Sequence, residues 1–327
     1  MRQWEMTHQS QRITYGPVPS RRLGRSLGID LLPLKTCTYN CIYCQLGPTK
    51  RTRLRRANFR QPEVVAEAVR QALERKGKVD VLTLSGSGEP TLERRMGQII
   101  RLLKKLFGLP VAVITNSSLL YRKSVREEIR GADLILPSMD GWTETMFRRI
   151  NRPHPGLKLE KVLEGLASLR REFKGQIWLE VLLVRGLNDD LEQIPGLLQW
   201  IRRINPDRVQ LNTVTRPPAE PWAVAPEQHR IQEIRTALGA KAEIVASFKG
   251  LMEKISLSEL EQRVVETVMR RPLSAEDLSS LFGLDPAQAA ELLENMAGKN
   301  SWRAERIEGR TYYRAESRPA GLREPNQ

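Results

Sequence analysis

The chain has 327 residues, 40% of them hydrophobic and 28% charged, with a formal net charge of +15. That length accommodates one large domain and a small one, and the hydrophobic content is that of a globular protein rather than of a disordered tail. No apolar run approaches the ~18 residues of a membrane span. The opening MRQWEMTHQSQR lacks the apolar core of a signal peptide. The expectation is a soluble, cytoplasmic protein with no membrane partner.

The charge is unevenly placed. Residues 1–60 carry twelve Lys and Arg against Glu5 and Asp30 alone, and KRTRLRRANFR (50–60) holds six bases and no acid. Such a skew suits an anionic partner, nucleic acid above all. A solvated basic face is the plainer alternative. Residues 1–24 read as a basic N-terminal extension, its first 14 residues a polar tail. YGPVPSRRLGRSLGID (15–30) then leads into a first strand at 27–34, with Arg21, Arg22 and Arg25 available to phosphate, to carboxylate or to a barrel rim.

CTYNCIYC (37–44) follows, and its Cys37, Cys41 and Cys44 are the three cysteines of the chain. Three thiolates on one tight loop can ligate three irons of a [4Fe–4S] cluster, because soft sulfur ligands select such clusters. The fourth iron then lacks a nearby protein thiolate. A structural zinc site takes four ligands, and His8, His154 and His229 stand out of zinc-finger register with the cysteines. An odd count argues against a disulfide framework.

Beyond the cysteines, helical and strand patterns alternate. Helices are expected at 62–76, 93–107, 123–130, 158–173, 190–203 and 226–238. Strands are expected at 79–86, 111–116, 133–140, 177–184, 208–214 and 242–247. Repeated βα units argue for an α/β fold with a parallel sheet and helices outside it; periodicity alone does not separate a barrel from a doubly wound sheet. Glu180 sits inside the hydrophobic run IWLEVLLV, where a charge is costly unless it is paired or faces a cavity. Asn212 raises the same question, and Arg152 and His154 lie on a Pro-rich loop as acid/base candidates or as plain loop residues.

The C-x3-C-x-aromatic-C pattern, with Tyr43 as the aromatic, resembles the signature of the radical S-adenosylmethionine (radical SAM) superfamily. The resemblance implies a partial (β/α)6 TIM-like barrel over residues 25–250, with function at the C-terminal ends of the strands. It implies that Cys37, Cys41 and Cys44 are metal ligands and, through the cluster, catalytic. In that family SAM chelates the free iron. One electron, from a donor such as flavodoxin or ferredoxin, cleaves SAM to methionine and a 5′-deoxyadenosyl radical that abstracts a substrate hydrogen. SGSGEPTL (85–92) resembles the family's Gly-Gly-Glu-Pro segment, which holds the SAM amino group. Ser87 replaces the first glycine, while Gly88, Glu89 and Pro90 match. The same resemblance places Tyr43, Asn116, Ser138 and Asp140 among the cofactor-binding residues.

The last 70 residues change character. Three helices are expected, with starts marked by Ser258, Ser274 and Asp285-Pro286, then a hairpin turning at Glu308-Gly309 and a disordered tail over 316–327. Residues 256–315 thus resemble a winged helix-turn-helix domain, which suggests DNA binding. Charge argues otherwise: the recognition-helix segment 285–298 contains Asp285, Glu291 and Glu294 and neither Lys nor Arg, and duplex affinity rests on neutralising phosphate. The hairpin, with Arg303, Arg306, Arg310 and Arg314 beside Trp302, Tyr312 and Tyr313, suits a nucleic-acid grip or base-stacking surface, or equally a protein-contact or substrate-presenting role.

YGPVPSRRLGRSLGID, PSMDGWTETMFRRINRPHP and EVLLVRGLND resemble the superfamily branch grouped with the wyosine-base synthases, which act on tRNA. Three readings stay open. One is a radical SAM enzyme acting on tRNA or other RNA. The second acts on a protein or small molecule, with the winged helix as docking module. The third is a non-catalytic Fe–S nucleic-acid-binding regulator.

Overall fold

Strand propensity and helical periodicity alternate along most of the chain, and the computed structural model turns that alternation into one continuous sheet. It describes residues 13–20, 22–76, 78–245, 257–269, 271–307 and 309–315. The expectations on residues 1–12, Arg21, 246–247, Glu308 and 316–327 lie outside the described residues. The chain divides into two units, Met1–Ser247 and Phe248–Gln327.

In the first unit the strands are β1 (Thr14–Ser20), β2 (Gly24–Ile29), β3 (Val81–Leu84), β4 (Val111–Thr115), β5 (Leu134–Pro137), β6 (Gln176–Leu183), β7 (Arg208–Thr213) and β8 (Ala242–Ile244). They hydrogen-bond in chain order, β1 to β8, as an eight-stranded sheet. From β2 onward every pairing is parallel, so all those strands end on the same side. The six longer parallel strands and the three-residue β8 form the partial barrel of βα units that the family resemblance implies.

The helices are α1 (Pro62–Lys76), α2 (Met96–Phe107), α3 (Lys123–Ile129), α4 (Leu159–Glu172), α5 (Ile194–Ile204) and α6 (Gln228–Leu238). Helix α2 shows why they form. Met96, Ile99, Ile100 and Leu103 recur at helical spacing and are fully buried, each burial being worth about 1.5–3 kcal/mol. Gly108 ends the helix with φ +63°, a left-handed cap that costs glycine nothing. Strands β3 and β5 are buried along their whole length, as expected for parallel strands covered on both faces.

The start of the sheet differs from expectation. The first parallel strand is Gly24–Ile29, not 27–34, and β1 pairs antiparallel with it. Residues 14–20 therefore belong to the sheet rather than to an extension. Gly16, Pro17 and Pro19 hide this strand from a propensity reading, yet proline is tolerated at a sheet edge, where its missing N–H breaks no ladder.

The second unit contains α7 (Leu257–Val268), β9 (Leu273–Ser274), α8 (Ala275–Phe282), α9 (Pro286–Asn300), β10 (Trp302–Ile307) and β11 (Arg310–Ala315). Its antiparallel sheet has the order β10-β11-β9. Ser274 caps α8 by accepting from the Asp277 N–H at 3.1 Å, and Asp285 caps α9 by accepting from the Ala287 N–H at 2.9 Å. Ser258 lies inside α7 rather than at its cap. Tyr312 and Tyr313 are 5% and 7% exposed; as neighbours on one strand they point to opposite faces, and with both rings covered neither offers a base-stacking surface.

Candidate active site at the C-terminal ends of the strands

The cysteine loop follows β2 and is tied down at both ends. Asp30, buried, accepts from the Ser87 hydroxyl at 2.5 Å and from the Leu32 N–H at 3.3 Å. Lys35 takes a left-handed backbone, φ +61°, and its N–H bonds Ser87 O at 2.7 Å. A non-glycine residue in that region carries about 1–2 kcal/mol of strain. The Arg53 N–H closes the far end on Cys37 O at 3.0 Å.

Each cysteine sulfur receives one side-chain N–H. Asn116 Nδ2 reaches Cys37 Sγ at 3.5 Å, Asn151 Nδ2 reaches Cys41 Sγ at 3.5 Å, and Lys35 Nζ reaches Cys44 Sγ at 3.0 Å. Asn116 belongs to the expected site. Lys35 and Asn151 were not legible in the sequence: a lysine before a loop and an asparagine in INRPHP have no spacing signal, and only the fold brings them to sulfur.

The Ser-Gly-Glu-Pro loop after β3 lies directly against this loop. A Cβ on Gly88 would sit 1.9 Å from Thr36 O, so only glycine fits. The Glu89 N–H donates to that same Thr36 O at 3.0 Å. The Glu89 side chain, 1% exposed, turns back into the protein. Its Oε1 accepts from the hydroxyls of Thr91 and Thr115, at 2.5 and 2.6 Å, and its Oε2 accepts from the Asn116 N–H at 2.7 Å. Burial raises its pKa, and these hydrogen bonds pull it back. Glu89 thus binds the end of β3 to the end of β4, and Pro90 opens the short 3₁₀ turn that follows.

Asp140, after β5, is the second buried carboxylate. Its Oδ2 accepts from Tyr43 Oη at 2.5 Å and Asn151 Nδ2 at 2.8 Å, and its Oδ1 accepts from the Leu182 N–H at 3.1 Å. Burial pushes its pKa up to about 6, against these lowering bonds. Tyr43, expected at a cofactor, is engaged here with Asp140. Ser138 is half-buried, pairs through its backbone with Thr115 and Ser117, and has no side-chain hydrogen bond among the described residues.

Asn116, Ser138, Asp140, Asn151, Tyr39 and Phe147, with Leu159, Val162 and Leu163 behind them, line a small recess of about 10 Å³, the room of one water molecule. The Tyr39 hydroxyl is buried without a hydrogen-bond partner, a deficit that a bound polar group would remove. Burial pushes the Cys37 thiol up to about 11 and raises that of Cys41 as well. Buried thiols of that kind stay neutral until a metal's charge reverses the balance. Among the described residues no three His, Cys, Asp or Glu side chains converge on a single metal ion. An iron–sulfur cluster takes its thiolates at separate irons, and soft sulfur with N–H donors behind it is the donor chemistry such a cluster uses. The residues present fit that group.

Other expected residues have structural partners. Glu180 pairs with Arg22, which also donates to Gln210 Oε1 at 3.2 Å, and Arg25 pairs with Asp80. Arg152 pairs with Glu220. His154 Nδ1 accepts from the Gly156 N–H at 3.0 Å, a loop role. Asn212 Oδ1 accepts from the Thr213 N–H at 2.9 Å. In the basic run, Arg56 turns inward to Thr91 O, Glu93 O and Glu128, whereas Lys50, Arg51 and Arg55 are exposed.

The sequence pattern of the radical SAM superfamily matches residues 31–198. A UPF0026 protein of Methanocaldococcus jannaschii is 34% identical over 277 residues, covering 83% of this chain and 86% of that protein. A Brachyspira hyodysenteriae protein named GTPase Obg is 34% identical over 298 residues, but the chain spans only 44% of its length. The crystal structure of a radical SAM methyltransferase from Sphaerobacter thermophilus shares the fold, with a TM-score of 0.51 at 18% identity over 67% of this chain and 65% of that one. No helix among the described residues is long and apolar enough to cross a membrane. With the cysteine pattern at the strand ends and the family match across half the sequence, the chain belongs to the radical SAM superfamily of enzymes and to the UPF0026 family.

Proposed function

We propose that Cys37, Cys41 and Cys44 hold a [4Fe–4S] cluster and that S-adenosylmethionine binds beside it at the strand ends carrying Gly88, Asn116 and Ser138. The observation that carries this reading is the single N–H donor on each of the three sulfurs. When bound and reduced, such a cluster supplies the electron that splits SAM into methionine and a 5′-deoxyadenosyl radical, which takes hydrogen from the substrate. The protein's own part is to orient and to exclude water. Gly88 lets the Glu-Pro loop lie on Thr36, leaving backbone of residues 86–90 beside the cluster loop to accept the ammonium of SAM. Glu89 and Asp140 hold that backbone and Tyr43 in place from behind, and Asn116 and the free hydroxyls of Ser138 and Tyr39 remain for polar groups of the cofactor.

Anaerobic reconstitution with iron and sulfide, then reductant and SAM, tests the reading. 5′-Deoxyadenosine is expected from the native chain and not from Cys41→Ala. A native chain that assembles the cluster yet neither binds nor cleaves SAM sinks it.

For the substrate, the exposed Lys50, Arg51 and Arg55 beside the cysteine loop favour an anionic polymer, tRNA or another RNA. Salt-sensitive tRNA binding is expected, and no binding at low salt removes this assignment. In the second unit, three helices with a β10-β11-β9 sheet support the winged-helix reading. Asp285, Glu291 and Glu294 are exposed on α9, which suits a docked protein rather than a DNA duplex.

A further inference from the structure

We infer that Lys35 places a fixed positive charge on the sulfur of Cys44 and thereby makes the bound cluster easier to reduce. The inference rests on the cluster reading above. Of the three donors to cysteine sulfur, two are neutral amides at 3.5 Å, and the third is the Lys35 ammonium at 3.0 Å. The third is therefore both the shortest contact and the charged one.

The backbone points the same way. Lys35 is held with φ +61° by the bond from its N–H to Ser87 O. A turn of this shape asks for glycine or asparagine; nothing in the turn itself asks for lysine. What the residue adds is its side chain, which lies half-buried and ends on sulfur. Strain kept at one residue beside a reactive centre is a mark of function when the side chain has a defined contact there.

The electrostatics give the contact a direction. Two buried carboxylates, Glu89 and Asp140, flank the cysteine loop and disfavour further negative charge. Reduction adds one electron, delivered by a low-potential one-electron donor, and one unit of negative charge to the cluster. A cation on one of its thiolates stabilises that reduced form more than the oxidised one, and hydrogen bonds and charge at the sulfurs are what set such potentials. Lys35 is a positioning residue in this sense: it acts through the cluster and not on the substrate.

The test uses the full chain, native and as Lys35→Gln and Lys35→Arg, reconstituted anaerobically and titrated with dithionite while the reduced cluster is followed by electron paramagnetic resonance. Iron and sulfide content is expected to match in all three. The Gln variant is expected to be about tenfold less reduced at a given potential, ~59 mV lower for a one-electron couple, and the Arg variant to lie near the native chain. A Gln variant that titrates with the native chain overturns the inference, as does an Arg variant that falls as far as Gln. Loss of iron in the Gln variant alone makes Lys35 a scaffold of the loop and overturns it too. A native chain that takes up no cluster overturns the cluster reading itself.

Discussion

The phenol of Tyr43 donates to Asp140 Oδ2 across 2.5 Å, joining the cysteine loop to the strand end on the far side of the recess. The aromatic of the cysteine pattern is therefore held by a buried carboxylate, which in turn is held by Asn151 and by the backbone of β6. Removing the phenol leaves Asp140 with less than its full set of donors. Tyr43→Phe is expected to destabilise the protein by about 2 kcal/mol, the scale of a hydrogen bond to a charged group. Urea denaturation at neutral pH measures it, and an unchanged midpoint would show the bond to be idle.

Gly88 admits no side chain, because the atom that a Cβ would meet is the backbone oxygen of Thr36 at 1.9 Å. Neither partner can rotate away. Gly88→Ala is expected to push the two loops apart, lowering stability by about 2–4 kcal/mol and cutting the iron bound after reconstitution. Calorimetry and iron analysis of the same samples check both. Native-like iron content with native melting would mean that the loops move freely.

Arg22 and Glu180 form an ion pair in which the side chains are 17% and 15% exposed. Breaking one side strands a largely desolvated charge, whereas removing both does not. A double-mutant cycle of Arg22→Met and Glu180→Gln is expected to give a coupling of about 1–3 kcal/mol, with each single change costing more than the pair of changes. Additive free energies would reduce this contact to a surface ornament.

The Arg126 guanidinium holds the Glu172 carboxyl below its ordinary range, through two bonds of 3.0 and 2.8 Å. A depressed folded pKa adds stability that is present above the unfolded value of about 4.3 and is lost as pH falls through the folded one. Glu172 is 34% exposed, so solvent screening limits the contribution to about 1 kcal/mol. Native chain and Glu172→Gln are expected to differ by that amount at pH 7 and to converge near pH 3. A constant difference across that range would exclude the linkage.

The sequence alone determined the alternation of helices and strands from residue 62 to 244, the cysteine loop and its family, because those features are local: period, composition and spacing are carried by neighbouring residues. Helix α1 matches the expected 62–76 in both bounds, and Ser274 and Asp285 cap the helices whose starts they mark. The tertiary structure alone decided which polar residues meet. Glu180 looks in sequence like an unexplained charge, and its partner stands 158 positions earlier. Tyr312 and Tyr313 look like a stacking surface because aromatics beside arginines suit one, but the sequence does not say that both faces of this strand are covered, as the burial of two neighbouring rings in a bulge-free register requires. Lys35 and Asn151 reach sulfur only because parallel strands deliver all their C-terminal loops to one side of the sheet. That convergence is a property of the parallel sheet as a whole, and no window of sequence contains it.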